Sequence, residues 1–414
     1  MRQLHVALFN RSFYPDTAAT GQLLTELCEG LVKAYNCRVS VIAGVPLIPS
    51  DSGAVRRKSR GIVIREEYRG IEILRSRGTR FSKRRFAGRA MNYVTYFMSA
   101  CYAGMRLDRP DVIVAATDPP IIGIAAYMAS QRFRAPLVMA YQDIFPEVGR
   151  LLEDFQSDTV NRVLQFVNCF LARRAARNVA LGETMRRRLI EGKGAHPART
   201  IVIPSWADCS QIVPGSRRNF FSRDHGLDDK FVIMHSGNIG LSQDLEKMIE
   251  VAERLQEIKD IQFVFIGDGV KKPLLQSRAK ACNLKNVMFL PFQPKEQLTE
   301  SFAAADVFLV SLKRGLAGYI TPSKLYGILA AGRPYVAAVE EESEITNITR
   351  NYDCGLVAEP GNTSQIVDCI LKFYRDRTLL KRYGENARNA AFQFDRPVQI
   401  QAYFDLFREL AASN

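Results

Sequence analysis

Histidine, tryptophan and paired cysteines are scarce in this sequence. Its 414 residues include four His and one Trp, and none of its eight Cys belongs to a C-x-x-C pair. Scattered Cys and His in these numbers form no zinc-binding pattern, so we predict no metal site. Cysteines spaced in this way are typical of reduced thiols in a cytoplasmic protein.

Long apolar runs are scarce as well. The uncharged run over residues 90–105 is short for a transmembrane helix. The chain enters a predicted strand within its first few residues, so we predict no signal peptide. The apolar content of 47% is ordinary for a globular protein, and the length favours two or three domains.

Positive charge is concentrated in one half of the chain. Residues 1–210 hold 31 Lys and Arg against 18 Asp and Glu, a balance of +13, whereas residues 211–414 hold 26 against 25, a balance of +1. A basic half implies an anionic partner, which is a membrane surface, a nucleic acid or a phosphorylated substrate.

The first half opens with alternating strands and helices. A strand at Leu4–Phe9 is followed by a loop, a helix over about 22–35 and a strand at Arg38–Gly44. This order predicts a doubly wound α/β sheet, in which ligands bind at the carboxyl ends of the strands, so we expect the loop Phe13–Gly21 to face the ligand. The loop lacks a G-x-G-x-x-G fingerprint, which argues against an NAD site. We interpret residues 45–80 as an excursion from this pattern.

A basic stretch then leads into an apolar, aromatic helix. Its cations have no acidic residue among them and are Arg75, Arg77, Arg80, Lys83, Arg84, Arg85 and Arg89. A basic segment before an apolar helix is typical of a segment that lies on an anionic bilayer. The alternative is a core helix preceded by a basic surface loop.

Two carboxylates follow the predicted strand Leu137–Tyr141. They are Asp143 and Glu147, just past the carboxyl end of the strand, where chemistry is usually placed. The alternative for Asp143 is that it caps the next turn. The Ser/Pro/Gly/Arg-rich segment Cys209–Asn219 is the predicted linker between domains.

A second alternating series begins at the predicted strand Phe231–His235. The loop after it contains Gly237 and Gly240, which let backbone approach a ligand closely, and Asn238, whose amide suits a phosphate oxygen. Asp268 ends the next strand, and a carboxylate there fits either a ribose hydroxyl or the capping of its own turn.

The segment Thr321–Pro334 is predicted to be a helix that begins at Pro322. Pro suits the first helical turn because it has no N–H to leave unpaired, and we place Ser323 and Lys324 in that same turn. The exposed N–H groups and the positive end of the dipole suit a phosphate, and Lys324 adds a full charge. The alternative is an ordinary helix with an exposed Lys.

In their order and spacing these motifs resemble glycosyltransferase family 4, of the GT-B type. The resemblance covers nearly the whole chain and is strongest to the branch that builds bacterial exopolysaccharide and O-antigen units. It is carried by Ser236–Gly240, Gly267–Gly269, Pro291–Pro294 and Thr321–Pro334.

The resemblance implies two Rossmann-like domains that face a central cleft. Residues 1–210 would form the acceptor-binding domain and residues 211–392 the domain that binds the nucleotide-sugar donor. The last helix, within 393–414, would pack back on the first domain.

For function, the resemblance implies a retaining, metal-independent transferase that needs no cofactor. It would move a hexose or N-acetylhexosamine from a UDP-sugar to a lipid-linked saccharide, on the inner face of the membrane, with peripheral contact to anionic lipid. Asp143 and Lys324 would be catalytic. The other donor-binding positions would be Gly21, Gly237, Asn238, Gly240, Asp268, Lys272, Phe292, Gln293, Tyr319, Pro322, Ser323 and Leu325.

The chain departs from the family at one place. Many members carry two Glu with seven residues between them, and here those places hold Tyr319 and Gly327. The second Glu commonly binds ribose, so this contact must be replaced or absent.

Two other functions compete with transfer. A nucleotide-sugar epimerase on the same fold places several carboxylates and His in its cleft, and the scarcity of His argues against it. A non-enzymatic basic module for membrane or nucleic acid would leave the donor motifs unexplained, and no nucleic-acid recognition motif stands out.

Overall fold

The structure is a computed structural model of the chain. It describes residues 3–16, 18–46, 56–57, 61–79, 81, 86–152 and 157–413. The chain divides into two compact units, of which the first comprises residues 1–204 with 397–414 and the second residues 205–396. The sequence analysis placed these boundaries at 210/211 and 392/393.

Both connections between the units are tied together inside the second unit, which explains the shifted boundaries. Ala207 forms a parallel bridge with Asp395, and the Asp395 carboxylate accepts a hydrogen bond from the Cys209 amide at 3.0 Å. Arg396 forms an ion pair with Asp208 at 2.8 Å. The predicted linker Cys209–Asn219 therefore belongs to the second unit.

Fifteen strands are found in the described residues. They are β1 (His5–Phe9), β2 (Arg38–Gly44), β3 (Arg56–Arg57), β4 (Val63–Tyr68), β5 (Ile71–Ser76), β6 (Val112–Ala115), β7 (Leu137–Ala140), β8 (Arg177–Ala180), β9 (Thr200–Val202), β10 (Phe231–Ser236), β11 (Ile261–Ile266), β12 (Val287–Leu290), β13 (Val307–Ser311), β14 (Tyr335–Ala338) and β15 (Gly355–Ala358).

The described residues also form fifteen α-helices. They are α1 (Ala19–Tyr35), α2 (Phe86–Gly104), α3 (Ile122–Phe133), α4 (Glu147–Leu151), α5 (Asp158–Arg174), α6 (Glu183–Lys193), α7 (Phe220–Asp224), α8 (Glu246–Arg254), α9 (Lys272–Ala281), α10 (Leu298–Ala303), α11 (Lys324–Ala330), α12 (Glu344–Tyr352), α13 (Thr363–Arg375), α14 (Arg377–Ala391) and α15 (Arg396–Ala412).

The first unit is built on a nine-stranded sheet in the order β3-β4-β5-β2-β1-β6-β7-β8-β9. From β5 to β9 all neighbours are parallel, and β4 and β3 extend the edge antiparallel. The order reverses between β1 and β6, which makes this the switch point where such sheets bind ligands.

Residues 45–80 depart from the alternation of strands and helices, since no helix among the described residues lies between β2 and β5, but their strands join the sheet. Strands β4 and β5 belong to the sheet, and β5 pairs in parallel with β2. Arg75, which was assigned to the basic stretch, is 1% exposed, and its Nε donates to Glu66 at 2.7 Å. Arg57 lies in the short strand β3, whereas Arg80 and Lys83–Arg85 lie outside the described residues.

The second unit holds a six-stranded, wholly parallel sheet in the order β12-β11-β10-β13-β14-β15. Numbered from its first strand, this is the 3-2-1-4-5-6 order of dinucleotide-binding folds, with its switch point between β10 and β13. Its strands are near-continuous apolar runs because helices cover both faces. Phe263, Phe265, Val307 and Leu309 are among the fully buried residues of the core.

Candidate active site

Four residues meet at the carboxyl edge of the second sheet. Lys324, the first residue of α11, donates from Nζ to Gln243 Oε1 at 2.7 Å. Its Nζ also lies 3.3 Å from Nε2 of His235, which is the second-last residue of strand β10. A Cβ atom added at Gly237 would lie 3.6 Å from the same Nζ. The loop after β10 therefore passes directly beside the ammonium group.

The partners of Lys324 are neutral. Burial lowers the pKa of Lys324 to about 7, and no neighbouring carboxylate raises it. Burial, and secondarily the charge of Lys324, lowers the pKa of His235 well below its usual value, so the imidazole stays uncharged. An ammonium group held by an amide oxygen and a neutral ring is only partly compensated, and it gains from a nearby anion.

Glycines join this group to the next strand. Gly237 and Gly267 have φ of 131° and 138°, and a Cβ atom at Gly267 would lie 1.9 Å from the Gly237 carbonyl oxygen. A Cβ atom at Gly269 would lie 2.4 Å from the Ile239 carbonyl oxygen. Only glycine permits this approach, which brings the ends of β10 and β11 together.

The side chain of Asn238 lies between Gly240 and Gly269. A Cβ atom at Gly240 would meet its Nδ2 at 2.6 Å, and one at Gly269 would meet its Oδ1 at 2.7 Å. Asn238 itself is exposed. The two Gly thus leave room for a polar side chain at the surface of the site.

A second group of predicted residues follows β11. Asp268 is exposed, and its Oδ1 accepts a hydrogen bond from the Gly269 amide at 2.8 Å, so the alternative of a turn-capping Asp is realised. Lys272 donates to the Gly267 carbonyl at 2.8 Å. The Phe292 ring lies next to Gly267 and is 57% exposed. Gln293 bonds the Pro291 carbonyl at 3.0 Å.

The start of α11 differs from the prediction. The helix begins at Lys324, has seven residues and has Ser323 as its N-cap, so Pro322 and Ser323 precede it. The first turn is irregular because Leu325 and Tyr326 bond back to Pro322 and Ser323 at 3.3 Å. The Leu325 side chain is buried in the core, so that only its backbone is available to a ligand.

Tyr319 and Gly327 mark the departure from the family pattern. The Tyr319 amide bonds the Leu316 carbonyl at 3.0 Å, which closes a turn before the site. The preceding loop is held by Glu340, whose Oε2 accepts from the amides of Gly315 and Ala317. A Cβ atom at Gly327 would lie 3.2 Å from the Phe302 ring, so a longer side chain there requires Phe302 to move.

In the first unit the polar group at the carboxyl edge is acidic. Asp118, after β6, accepts from Ser12 Oγ at 2.7 Å and pairs with Arg11 at 3.2 Å. Asp143 follows β7, and its amide donates to Thr117 Oγ1 at 3.3 Å. Burial, with a smaller effect from the charge of Asp118, raises the pKa of Asp143 to about 7.

Gly21 and Glu147 have structural contacts in this unit. Helix α1 begins at Ala19, so Gly21 is helical rather than part of the preceding loop, and a Cβ atom there would lie 3.4 Å from the Ser12 backbone. Glu147 binds the buried Lys193 at 2.8 and 2.9 Å. We assign Glu147 to the stability of the unit.

His235, Gln243 and Asp118 were missed by the sequence analysis as site residues. His235 was counted as the end of a strand, and Gln243 lies outside the glycine motif that drew attention to this loop. The one feature that could have identified these three residues is their position, because each follows or ends a strand at the switch point of its sheet. Among the described residues no group of three or more His, Cys, Asp or Glu is arranged to hold a metal ion.

Models of two protein families match the chain. The family described as glycosyl transferases group 1 matches residues 217–390, and the family described as glycosyl transferase 4-like domain matches residues 19–206. The first range contains the whole of the second sheet, and the second range contains the first sheet except for strand β1.

Two curated proteins with similar sequences are named as glycosyltransferases. The Escherichia coli K12 protein WcaI, which is named as a colanic acid biosynthesis glycosyl transferase, is 30% identical over 215 residues, which span 51% of each chain. The Pseudomonas aeruginosa glycosyltransferase WbjE is 26% identical over 289 residues, or 68% of this chain and 71% of that protein. The match to the first relative thus spans about half of its length.

Solved structures share the fold at low identity. Sucrose-phosphate synthase from Thermosynechococcus elongatus superposes with a TM-score of 0.78 at 15% identity over all of both chains. Anabaena Alr3699/HepE, solved in complex with UDP-glucose, superposes with a TM-score of 0.73 at 17% identity over 98% of this chain and 100% of that chain.

The fold and the family matches define a glycosyltransferase with the GT-B fold. Within that class, the chain combines a 4-like domain in its first half with a group 1 domain in its second half. The expected fold class is confirmed.

Proposed function

We propose that this enzyme is a retaining, metal-independent transferase that moves a hexose or N-acetylhexosamine from a UDP-sugar to a lipid-linked saccharide in bacterial polysaccharide synthesis. The observation that carries the donor side of this proposal is the Lys324 ammonium, held by neutral partners beside Gly237. A diphosphate supplies the counter-charge that this group lacks.

The rest of the proposed donor site follows from the neighbouring residues. The backbone around Gly237–Gly240 and the start of α11 approach the diphosphate, and Lys324 stabilises the charge that develops on it as the sugar leaves. The exposed Phe292 ring stacks on the base, and the free lone pairs of the Asp268 carboxylate accept from the ribose. Anabaena HepE, which shares this fold and was solved in complex with UDP and glucose, supports uridine in this role.

In the proposed reaction the acceptor hydroxyl attacks the anomeric carbon from the face that UDP leaves. The bond to the diphosphate oxygen breaks, the new glycosidic bond forms, and a donor phosphate oxygen takes the hydroxyl proton. Asp143 is the proposed carboxylate of the acceptor-binding unit, and its raised pKa suits a group that exchanges a proton near neutral pH.

A lipid-linked acceptor is supported by the exposed face of α2. Met91, Val94, Met98 and Tyr102 lie along one side of this helix and are 42–66% exposed. Arg106 lies over the Tyr102 ring at 4.4 Å, so the stripe ends in a cation. An apolar stripe beside basic residues suits an anionic bilayer surface. None of the described helices is long and apolar enough to cross a membrane.

Vesicle binding tests the membrane part of the proposal. Replacing Val94 and Met98 with Ser should lower binding to anionic vesicles, whereas replacing Val163 and Phe166, equally exposed on α5, should not. Equal binding by both double variants would remove the α2 face from the proposal. Replacing Arg80, Lys83, Arg84 and Arg85 with Ser tests the adjoining basic segment, which lies outside the described residues.

The donor is tested by thermal stabilisation with UDP, GDP, ADP and CMP, followed by a panel of UDP-sugars. A ligand at a hundred times its dissociation constant stabilises by about 2.7 kcal/mol, which is easily measured. A shift with UDP alone supports the proposal. A shift with GDP alone favours the second candidate, a GDP-sugar donor, which is suggested by a Mycolicibacterium smegmatis relative named as a GDP-mannose-dependent α-mannosyltransferase, 24% identical over 203 residues.

A further inference from the structure

The loop after β10 is fastened to the end of strand β13 beside Lys324. The carbonyl oxygen of Gln243, in this loop, accepts a hydrogen bond from the hydroxyl group of Ser311, the last residue of β13. The Lys313 amide donates to the Ser242 carbonyl oxygen at 2.7 Å. Gln243 is only 7% exposed. Its backbone is therefore fixed by contacts other than those with Lys324.

The Gln243 carboxamide is oriented by the ammonium group of Lys324. An ammonium group only donates hydrogen bonds, so the carboxamide oxygen faces it, and Lys324 Nζ donates to Gln243 Oε1 at 2.7 Å. The Nε2 group, with two N–H donors, is the other arm of the carboxamide. In the part of the chain that the structure describes, this group has no hydrogen-bond partner and is not fully buried. Its donors are therefore available to a ligand at this site.

The elements packed around Lys324 bring no charge to it. Strand β10 contributes the His235 ring, which is neutral and whose Nε2 lies 3.3 Å from Nζ. The loop after β10 contributes the Gln243 carboxamide, and strand β13 contributes the Ser311 hydroxyl group on the Gln243 backbone. Burial alone lowers the pKa of Lys324, so no carboxylate of the described residues compensates it.

We propose that Gln243 is a positioning residue that makes the donor site selective for a charged ligand. Its oxygen holds the ammonium group of Lys324 without neutralising it, and its accessible N–H groups add donors that suit phosphate oxygens. A glutamate in its place would have the same shape, but it would neutralise Lys324 and repel a diphosphate. The inference rests on the proposed function, because it takes the ligand of Lys324 to be the diphosphate of the donor.

Gln243→Glu tests this inference because it exchanges only the NH2 group for an oxygen atom. UDP binding, measured by calorimetry with the full chain at pH 7.5, should weaken about tenfold or more. The melting temperature of the free protein should stay the same or rise, since the ammonium group gains a counter-charge. A residue that only supported the fold would lose melting temperature and affinity together. Gln256→Glu, at an exposed position shortly after α8, adds the same charge and should bind UDP like the parent.

The pH dependence of UDP binding tests the charge of Lys324 directly. UDP carries its full charge between pH 7 and pH 8.5, because the second pKa of a terminal phosphate is about 6. The pKa of Lys324 is lowered to about 7, so the free parent protein loses this charge as pH rises across the window, and its affinity should fall about tenfold. In Gln243→Glu the new carboxylate keeps Lys324 charged, so the affinity should be low and nearly constant.

Gln243→Met gives a second test that introduces no charge. It keeps the length of the side chain but removes its hydrogen bonds, so UDP binding should weaken about fivefold while the fall of affinity with pH remains. This variant decides the question if Gln243→Glu does not fold, because an affinity equal to that of the parent would then overturn the inference.

The inference is also overturned if Gln243→Glu binds UDP within about threefold of the parent, or if its affinity falls as steeply with pH. Provided that the parent binds UDP, such a result removes only the role of Gln243 and leaves the proposed donor in place. If the parent binds no nucleoside diphosphate, the proposed donor and the role of Gln243 both fail.

Discussion

The two units build similar parallel sheets, but one places an acidic side chain at the carboxyl edge of its sheet and the other places a basic one there. At the carboxyl edge of the first sheet lies Asp143, whose pKa is raised to about 7, and at that of the second lies Lys324, whose pKa is lowered to about 7. Burial is the main cause in both cases. Desolvation disfavours the charged form of either group, so similar surroundings drive an acid and a base toward the same pH.

The units differ in how they pair the charged groups around their sheets. In the first unit Arg11 pairs with Asp118 and Arg75 with Glu66, while the charge of Asp118 adds to the raised pKa of Asp143. The second unit offers Lys324 only neutral partners, Gln243 and His235. A site that lacks its own counter-charge is available to a charged ligand, and this contrast makes the second sheet the donor side of the proposal.

The largest expected effect is on stability in the first unit. Arg75→Met leaves Glu66 buried without its cation, and breaking such a pair costs about 3–5 kcal/mol. Urea unfolding measures this change. Arg77→Met, two residues further along and exposed, is the control. A loss below about 1 kcal/mol would show that the pair contributes little to the unit.

The next effect is on turnover in the second unit. Lys324→Met should lower kcat about 100-fold or more, because one charged contact to a leaving group contributes about 3 kcal/mol in the transition state. Lys280→Met, at an exposed position of α9, should leave it unchanged. Turnover of Lys324→Met within a few-fold of the parent would contradict the role proposed for this ammonium.

A third effect concerns the pH dependence of stability at Asp143. Its pKa is raised on folding, so the folded chain retains a proton that the unfolded chain has lost, and wild-type stability falls as pH rises from about 4 to about 7. Asp143→Asn removes this loss. Its gain over wild type should grow across that window by up to about 4 kcal/mol.

Urea unfolding at pH 5 and pH 8 checks this expectation. The exposed Asp158 at the start of α5 provides the comparison, since Asp158→Asn should show no such growth. A constant difference for Asp143→Asn at both pH values would mean that its carboxyl group is well solvated.

The smallest effect is a proton taken up with the proposed UDP ligand. Near pH 8 the Lys324 amine is largely neutral in the free protein, and a bound diphosphate favours its charged form. Calorimetry in two buffers of different ionisation enthalpy should show uptake of a large fraction of one proton, absent in Lys324→Met. Equal enthalpies in both buffers would argue that the diphosphate lies away from Lys324.

The sequence predicted the sheets well where strands are continuous apolar runs. Strand Arg38–Gly44 has the predicted bounds, and the strands predicted at Leu4–Phe9, Leu137–Tyr141 and Phe231–His235 each differ from the structure by one residue at one end. It did not predict β4 and β5, and it assigned Arg75 to a basic stretch although this residue pairs with Glu66 across the sheet. The pattern of side chains along one strand does not reveal which charged residue forms an ion pair with a residue on the neighbouring strand.

The candidate site was predictable only in part, for a similar reason. Glycines in a loop after a strand indicate that backbone segments approach closely there, so the sequence identified the residues around Gly237 and Gly267 as site residues. Gln243 and His235 contact Lys324 only because the loop after β10 and the start of α11 converge at one sheet edge. These three residues are far apart in the sequence and follow no regular spacing, so the sequence does not show that they are in contact.

The last helix has a consequence for the order in which the enzyme can be made. Helix α15 belongs to the first unit, where Phe404 stacks on Tyr35 at 4.2 Å and Ile400 occupies the space that a side chain at Gly30 would need. A ribosome synthesises the whole second unit before it reaches these residues. The first unit therefore acquires its full set of contacts only after the second has emerged, although its own sheet is translated first.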